Sequence, residues 1–187
     1  MAKRRAASGP APQPASARRG LARLVERLVG LWALVGGVVV LAVAGLNLAE
    51  VLSVATRPLT GWRFTGAVEL TEMGVAVAGF AFLPWCQIAG ANVAADIFTS
   101  RAGPRLLSVL RFAAAAAAFG LAALLLWRMG LGAADQRAYG TATAILAVPI
   151  WWAYWAILPS LALWVLAGSV TLAEAAAELG RAWRRRA

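Results

Sequence analysis

Two carboxylates, Glu69 and Glu72, lie at the start of the apolar run GAVELTEMGVAVAGF (residues 66–80). A carboxylate inside a membrane segment can carry ions or protons, so these two residues are the first candidates for chemistry. They are three residues apart, share one face of a helix and fall in its first turns, where the helix dipole favours negative charge. The uninterrupted apolar stretch begins only at Met73. The pattern therefore favours an anchor or partner contact at the membrane edge over ion or proton transport.

Other reactive groups are scarce. The chain contains no His and a single Cys, Cys86. This composition excludes haem-ligand pairs, His-rich zinc sites, CxxC redox pairs and an internal disulfide. A small membrane enzyme or redox anchor would need such groups, so we expect neither catalysis nor a cofactor in this chain.

Composition indicates a polytopic membrane protein. The chain has 187 residues, of which 61% are hydrophobic and 14% charged, and its mean hydropathy is +0.72. The net charge is +10, but the basic residues cluster in the two tails and at the ends of apolar runs. This distribution fits anionic membrane lipids better than nucleic acid.

The chain is predicted to be an all-α membrane protein with four transmembrane helices, because backbone groups in lipid must be hydrogen-bonded within their own segment. A disordered, basic cytoplasmic tail is predicted for residues 1–24, a four-helix membrane domain for 25–172, and a basic amphipathic tail for 173–187. Within the domain, the predicted spans are approximately 28–49, 67–91, 106–127 and 144–170.

Orientation follows from the basic residues. Seven Lys and Arg precede the first span, three lie in the link after the second span or just inside the third, and four follow the last. The other two links carry two each, so both termini are predicted to be cytoplasmic. Lipid headgroups are the expected partners of the cytoplasmic arginines: Arg101, Arg105, Arg111, Arg181, Arg184, Arg185 and Arg186.

A short cytoplasmic surface helix is predicted between the second and third spans, over NVAADIFTSRAGP (residues 92–104). Asn92 can cap its start, and Gly103 followed by Pro104 can end it. Asp96 is either solvated or paired with Arg101 or Arg105. Asn92 and Asp96 are also candidate contacts with another subunit or with lipid.

Two further groups are candidate contacts with other helices, subunits or lipid. Asn47, near the far end of the first span, can donate a hydrogen bond to another helix. The segment PIWWAYWAILP (residues 149–159) carries Trp151, Tyr154 and Trp155 on one helical face and Trp152 on another. Both an aromatic belt at the interface and a shaped protein contact remain open for this cluster.

Taken in order, four features resemble the small membrane subunit (DctQ-like) of tripartite ATP-independent periplasmic (TRAP) transporters. They are an Asn-containing first span followed by RPLTG (57–61), then GAVELTE (66–72), GANVAAD (90–96) and PIWWAYWAILP. The resemblance covers about residues 25–172. The family usually has a His where Asn92 stands and often a basic residue near Ala94.

The resemblance implies a non-enzymatic scaffold in the bacterial inner membrane. Its expected partners are a large membrane subunit, which holds the solute and sodium sites, and a periplasmic binding protein that delivers the solute, commonly an organic acid. Glu69 and Glu72 would then mark the periplasmic edge.

The alternative is a self-contained four-helix carrier or efflux protein acting as an oligomer, which needs a mid-membrane carboxylate that none of the four spans contains. In this family the other subunits determine which solute is transported, so the sequence of this chain does not identify the solute.

Overall fold

The computed structural model describes residues 15–61, 64–89 and 103–184. These ranges form four helices: α1 (Ala15–Thr60), α2 (Ala67–Ile88), α3 (Pro104–Tyr139) and α4 (Trp151–Arg184). Each is long and apolar enough to cross a membrane, which confirms the prediction of an all-helical chain with four candidate spans. The region of the predicted surface helix lies almost entirely outside the described residues.

The helices lie side by side in the order α1, α2, α4, α3. The main packing contacts join α1 to α2, α2 to α4 and α4 to α3, with a smaller contact between α1 and α4. A buried cluster lies where α2, α3 and α4 meet, and it comprises Ala122, Ile157, Leu161 and Trp164, with Val77 and Phe80 against it. The two middle helices, α2 and α4, therefore carry most of the packing.

Small residues let α1 and α2 approach closely. A Cβ on Gly36 would lie 2.8 Å from the Cβ of Ala81, and one on Gly74 would collide with Val43. These contacts pair later residues of α1 with earlier residues of α2, so the two helices are antiparallel. Close approach through glycine and alanine is typical of helix packing in membranes, where dispersion contacts replace the hydrophobic effect.

The two ends of the structure have different compositions. The loop end contains the start of α2 and residues 140–150, which join α3 to α4; the basic end contains Arg105, Arg111, Arg181 and Arg184. On α1, the twenty steps from Arg27 to Asn47 rise about 30 Å at about 1.5 Å per residue, which matches the thickness of the hydrocarbon core.

Several helices are longer than the apolar runs. Helix α1 begins at Ala15, inside the segment 1–24 for which disorder is predicted, and α4 continues without a break from the fourth span to Arg184. Ala, Leu, Arg and Glu dominate both extensions, and all four are strong helix formers. A helix already formed in the membrane can propagate through them, since propagation is far less costly than nucleation.

The fourth span begins later than predicted. Residues 144–150 are not helical, and α4 starts at Trp151. The backbone explains this difference, because Ala147 has a positive φ of 53° and Pro149 disfavours helical geometry in the residue before it. The third helix begins at Pro104 with Gly103 as its N-cap, so these two residues start α3.

Candidate functional site

The first feature of the loop end is the glycine that precedes α2. Gly66 has a φ of +100°, and a Cβ at this position would lie 2.6–2.9 Å from three side-chain carbons of Leu146. Gly66 is buried and Ala67 has no exposed surface. Glycine is needed here for two independent reasons: it adopts a left-handed backbone conformation without steric cost, and it leaves room for Leu146.

Glu69, in the first turn of α2, binds the loop between α3 and α4. The backbone N–H of Ile145 donates to one carboxylate oxygen at 2.7 Å, and the N–H of Leu146 donates to the other at 2.9 Å. Successive backbone N–H groups form a concave site that suits an anion, and hydrogen bonds to an ionised acceptor are stronger than neutral ones. The Glu69 carboxylate thus fixes the loop to the start of α2.

The loop also carries its own hydrogen bonds. The N–H of Thr143 donates to the carbonyl of Val148 at 2.9 Å, and the N–H of Val148 donates to the Thr143 hydroxyl at 3.0 Å. Ile150 N–H donates to the carbonyl of Thr141 at 3.0 Å. Together with Glu69, these bonds hold Ala147 in its left-handed conformation, which is unfavourable for a residue with a side chain.

Glu72 behaves differently, although it lies only three residues further along α2. It is exposed and has no hydrogen-bond or ion-pair partner within the part of the chain that the structure describes. Of the two predicted edge carboxylates, one is therefore used to build the fold and the other is free. A role of either residue in binding a second subunit or lipid stays a prediction.

Asn47 makes the expected helix-to-helix hydrogen bond. Its side-chain N–H₂ group donates to the Thr71 hydroxyl on α2 at 2.8 Å and to the Val43 carbonyl of its own helix at 2.8 Å. The first bond joins α1 to α2 within a turn of Glu69. The loop end thus ties together the start of α2, the α3–α4 loop and α1.

The aromatic cluster divides into two pairs. Trp151 and Tyr154 are half-buried; Tyr154 lies against Gly132 of α3, and the guanidinium of Arg137 sits 5.6 Å from the Trp151 ring centre. Trp152 and Trp155 are 55% and 54% exposed. The first pair joins α3 to α4, and the second leaves two indoles available to lipid headgroups or another protein.

The basic end is held by exposed contacts between α3 and α4. Arg111 lies 3.4 Å from a carboxylate oxygen of Glu178, and the guanidinium of Arg105 lies 5.7 Å from the Trp183 ring centre. Arg181 and Arg184 lie in the last turn of α4, where positive charge suits the helix dipole. Arg111 thus has a partner within the chain, in addition to the headgroups expected from the sequence.

One polar group at a helix contact is absent from the sequence-based candidates. Gln87 is 8% exposed; it donates to the Thr171 hydroxyl at 3.1 Å, and its carbonyl oxygen lies 3.5 Å from the Trp164 indole nitrogen. An amide inside an apolar run is the same signal that identified Asn47, so Gln87 could have been found. A second bond, from the Trp32 indole to the buried Ser160 at 2.8 Å, has no comparable sequence signal.

Five predicted site residues lie outside the described ranges: Asn92, Asp96, Arg101, Arg185 and Arg186. Among the residues that the structure describes, no three His, Cys, Asp or Glu side chains are grouped so that they could hold a metal ion.

Comparison with protein families identifies a family model that covers most of the chain. The model described as "Tripartite ATP-independent periplasmic transporters, DctQ component" matches residues 46–178. The matched region contains the loop end, all of α2 and α3, and Arg105 and Arg111 of the basic end, whereas Arg181 and Arg184 lie beyond it. Searches of curated proteins and of solved structures give no match.

Proposed function

Because the chain belongs to the DctQ family of TRAP transporters, we propose that it is the small permease subunit of such a transporter. In this role it supports a large membrane subunit during sodium-driven, binding-protein-dependent uptake of an organic acid or related solute. The family match over residues 46–178 carries this proposal. The solute and sodium sites belong to the large subunit, and this chain supplies neither a cofactor nor a catalytic group.

The arrangement of polar side chains supports a scaffold role. Glu69 binds loop amides, Asn47 binds Thr71 and Gln87 binds Thr171, so each joins two parts of the chain. Polar groups that hydrogen-bond one another across helix contacts stabilise one relative position of the helices. A subunit that must stay fixed while its partner moves needs that rigidity.

The outer helices supply surface for a large partner. In the most apolar stretch of 18 residues, 11% of the residues are buried in α1 and in α3, whereas 33% are buried in α4. Exposed leucines and valines lie along α1 from Leu24 to Leu59. In a membrane, such a surface can pack against lipid or against other transmembrane helices.

We place the protein in the bacterial inner membrane with both termini in the cytoplasm and the loop end in the periplasm. The arginines of the basic end support this orientation through the positive-inside rule. A C-terminal fusion tests it, because green fluorescent protein fluoresces when left in the cytoplasm and alkaline phosphatase is active only after export. Fluorescence without phosphatase activity is expected, and the opposite pair of results would reverse the orientation.

The function is tested by co-expressing the chain with a candidate large subunit, purifying the complex and reconstituting it in liposomes. We expect a stable complex, and uptake that requires a sodium gradient, the binding protein and this chain together. Uptake by this chain alone would instead support the self-contained carrier. Uptake by the large subunit without this chain would exclude an essential scaffold role.

The edge carboxylates provide a second arm of this experiment. Neutralising both with Glu69→Gln and Glu72→Gln should weaken assembly or uptake while leaving the ion dependence unchanged, because the coupling ion binds elsewhere. If the double substitution changed which ion drives uptake, the carboxylates would belong to the ion path and the scaffold assignment would be wrong.

A further inference from the structure

A groove of about 800 Å³ runs between α1 and α2 towards the basic end. Its floor on α1 is made of Gly30, Ala33 and Gly37, which recur at helical spacing, and Phe82 and Trp85 of α2 form the opposite wall. The small floor residues create the groove, because larger side chains would fill it. The nearest side-chain carbon of Trp85 is 3.4 Å from where a Cβ of Gly30 would lie, whereas Gly37 has open space around it.

The groove has the length of one leaflet of a bilayer. Its lining on α1 extends from Arg27 to Gly37, and these ten steps along the helix rise about 15 Å at about 1.5 Å per residue. Half of a hydrocarbon core of about 30 Å is also about 15 Å. A chain that enters beside Arg27 and ends beside Gly37 would therefore reach from the membrane surface to the bilayer centre.

The charged group of the groove lies at its mouth. Among the described residues that line the groove, Arg27 alone is ionisable, and it is the last basic residue before the apolar run that begins at Leu28. It is exposed, and no hydrogen bond or ion pair joins it to another described residue. A guanidinium at the membrane surface recognises phosphate well, because its donors match the geometry of the oxygens.

We propose that this groove binds one anionic phospholipid, with an acyl chain between α1 and α2 and the phosphate on Arg27. The groove opens into the hydrocarbon region, since Leu31 and Leu34 at its side are 63% and 68% exposed, so lipid reaches it without entering the protein. The proposal concerns a site within this chain and is independent of the proposed transport function.

The test uses the purified full-length chain and native mass spectrometry after addition of phosphatidylglycerol or phosphatidylcholine with identical acyl chains. Gly37→Leu fills the far end of the groove and should abolish retention of one bound molecule of either lipid. Arg27→Gln should lower the retention of phosphatidylglycerol about fivefold, the effect of one basic residue near the surface. It should lower the retention of phosphatidylcholine less, because the choline cation offsets the charge of the same phosphate.

Two matched variants serve as controls. Gly45→Leu makes the same change in the same helix, at a glycine that also has open space but lies outside the groove. Arg57→Gln removes the same charge near the other end of α1. Both should retain lipid like the unmodified chain, and thermal unfolding in detergent shows whether all four variants are folded.

Specific outcomes would overturn the proposal. Equal retention in Gly37→Leu and Gly45→Leu would show that no acyl chain occupies the groove. An equal effect of Arg57→Gln and Arg27→Gln would reduce the charge effect to diffuse attraction. If Gly37→Leu left lipid retention unchanged but prevented binding of the large subunit, the groove would be a protein interface instead.

Discussion

The two ends of the structure use carboxylates in different ways. At the loop end, both oxygens of Glu69 accept backbone N–H bonds, at 2.7 and 2.9 Å, from a loop that lies far away in sequence. At the basic end, Glu178 lies 3.4 Å from Arg111, and the two side chains are 43% and 60% exposed. The first contact has a fixed geometry set by the backbone, whereas the second joins two long side chains in a solvated setting. We therefore expect substitutions at the loop end to destabilise the fold far more than substitutions at the basic end.

The largest effect is expected at Gly66. In Gly66→Ala, the new Cβ meets Leu146 while the residue must keep a φ of +100°. Backbone strain of about 1–3 kcal/mol and overpacking of about 1–3 kcal/mol predict a loss of about 2–6 kcal/mol in the free energy of unfolding. Tryptophan fluorescence during unfolding in detergent measures this loss.

Gly140 provides the matched control for that substitution. It also has a left-handed backbone, with a φ of +63°, but a Cβ there would have no neighbour within 4 Å. Gly140→Ala should therefore lower the free energy of unfolding through backbone strain alone, without overpacking. Adding Leu146→Ala to Gly66→Ala should recover part of the lost stability. If Gly66→Ala were no worse than Gly140→Ala, the contact with Leu146 would not constrain the fold.

The next largest effect is expected at Glu69. In Glu69→Gln, the amide oxygen can still accept one N–H bond, but the N–H₂ group faces a second donor and cannot accept. The melting temperature should fall, and the amide hydrogens of Ile145 and Leu146 should exchange with deuterium faster. Glu72→Gln makes the same change on the exposed neighbour and should alter neither quantity. Equal effects of the two substitutions would mean that the contact with the loop contributes nothing specific.

A smaller effect is expected for the bond between Asn47 and Thr71. Interhelical hydrogen bonds in membrane proteins average about 0.6 kcal/mol and reach about 1.7 kcal/mol. A double-mutant cycle with Asn47→Ala and Thr71→Ala should give a coupling free energy in this range. Additive effects of the two substitutions would show that the 2.8 Å bond does not stabilise the packing of α1 on α2.

The membrane-spanning helices could be predicted from the sequence because each apolar run is long enough to cross the bilayer. The helix ends could not, since hydropathy marks where a helix leaves lipid and gives no sign of whether it continues into water. The continuation of α1 back to Ala15 and of α4 forward to Arg184 could therefore not be predicted from hydropathy. Pro149 was a usable signal for the late start of α4, because it disfavours helix in the residue before it.

The candidate site was predicted only in part, and the reason is physical. The position of Glu69 at a helix start is visible in the sequence, but its partners are backbone N–H groups, which every residue other than proline has. No residue type in ILAV (145–148) marks those amides as an anion site. The side-chain pairing of Asn47 was foreseeable in kind, because a lone amide in lipid needs a partner, although Thr71 itself could be identified only from the structure.

The smallest effect is expected at the basic end, for the ion pair between Arg111 and Glu178. Arg111 and Glu178 are exposed, so their Coulomb attraction is weakened by water and offset by the entropy of ordering two long side chains. A double-mutant cycle with Arg111→Gln and Glu178→Gln in detergent should give a coupling free energy below about 1 kcal/mol. The coupling should decrease further as salt is added, because ions screen exposed charges. A coupling that exceeded that of Asn47 and Thr71 and persisted at high salt would remove the distinction between the two ends, and would make the basic end an equal source of rigidity.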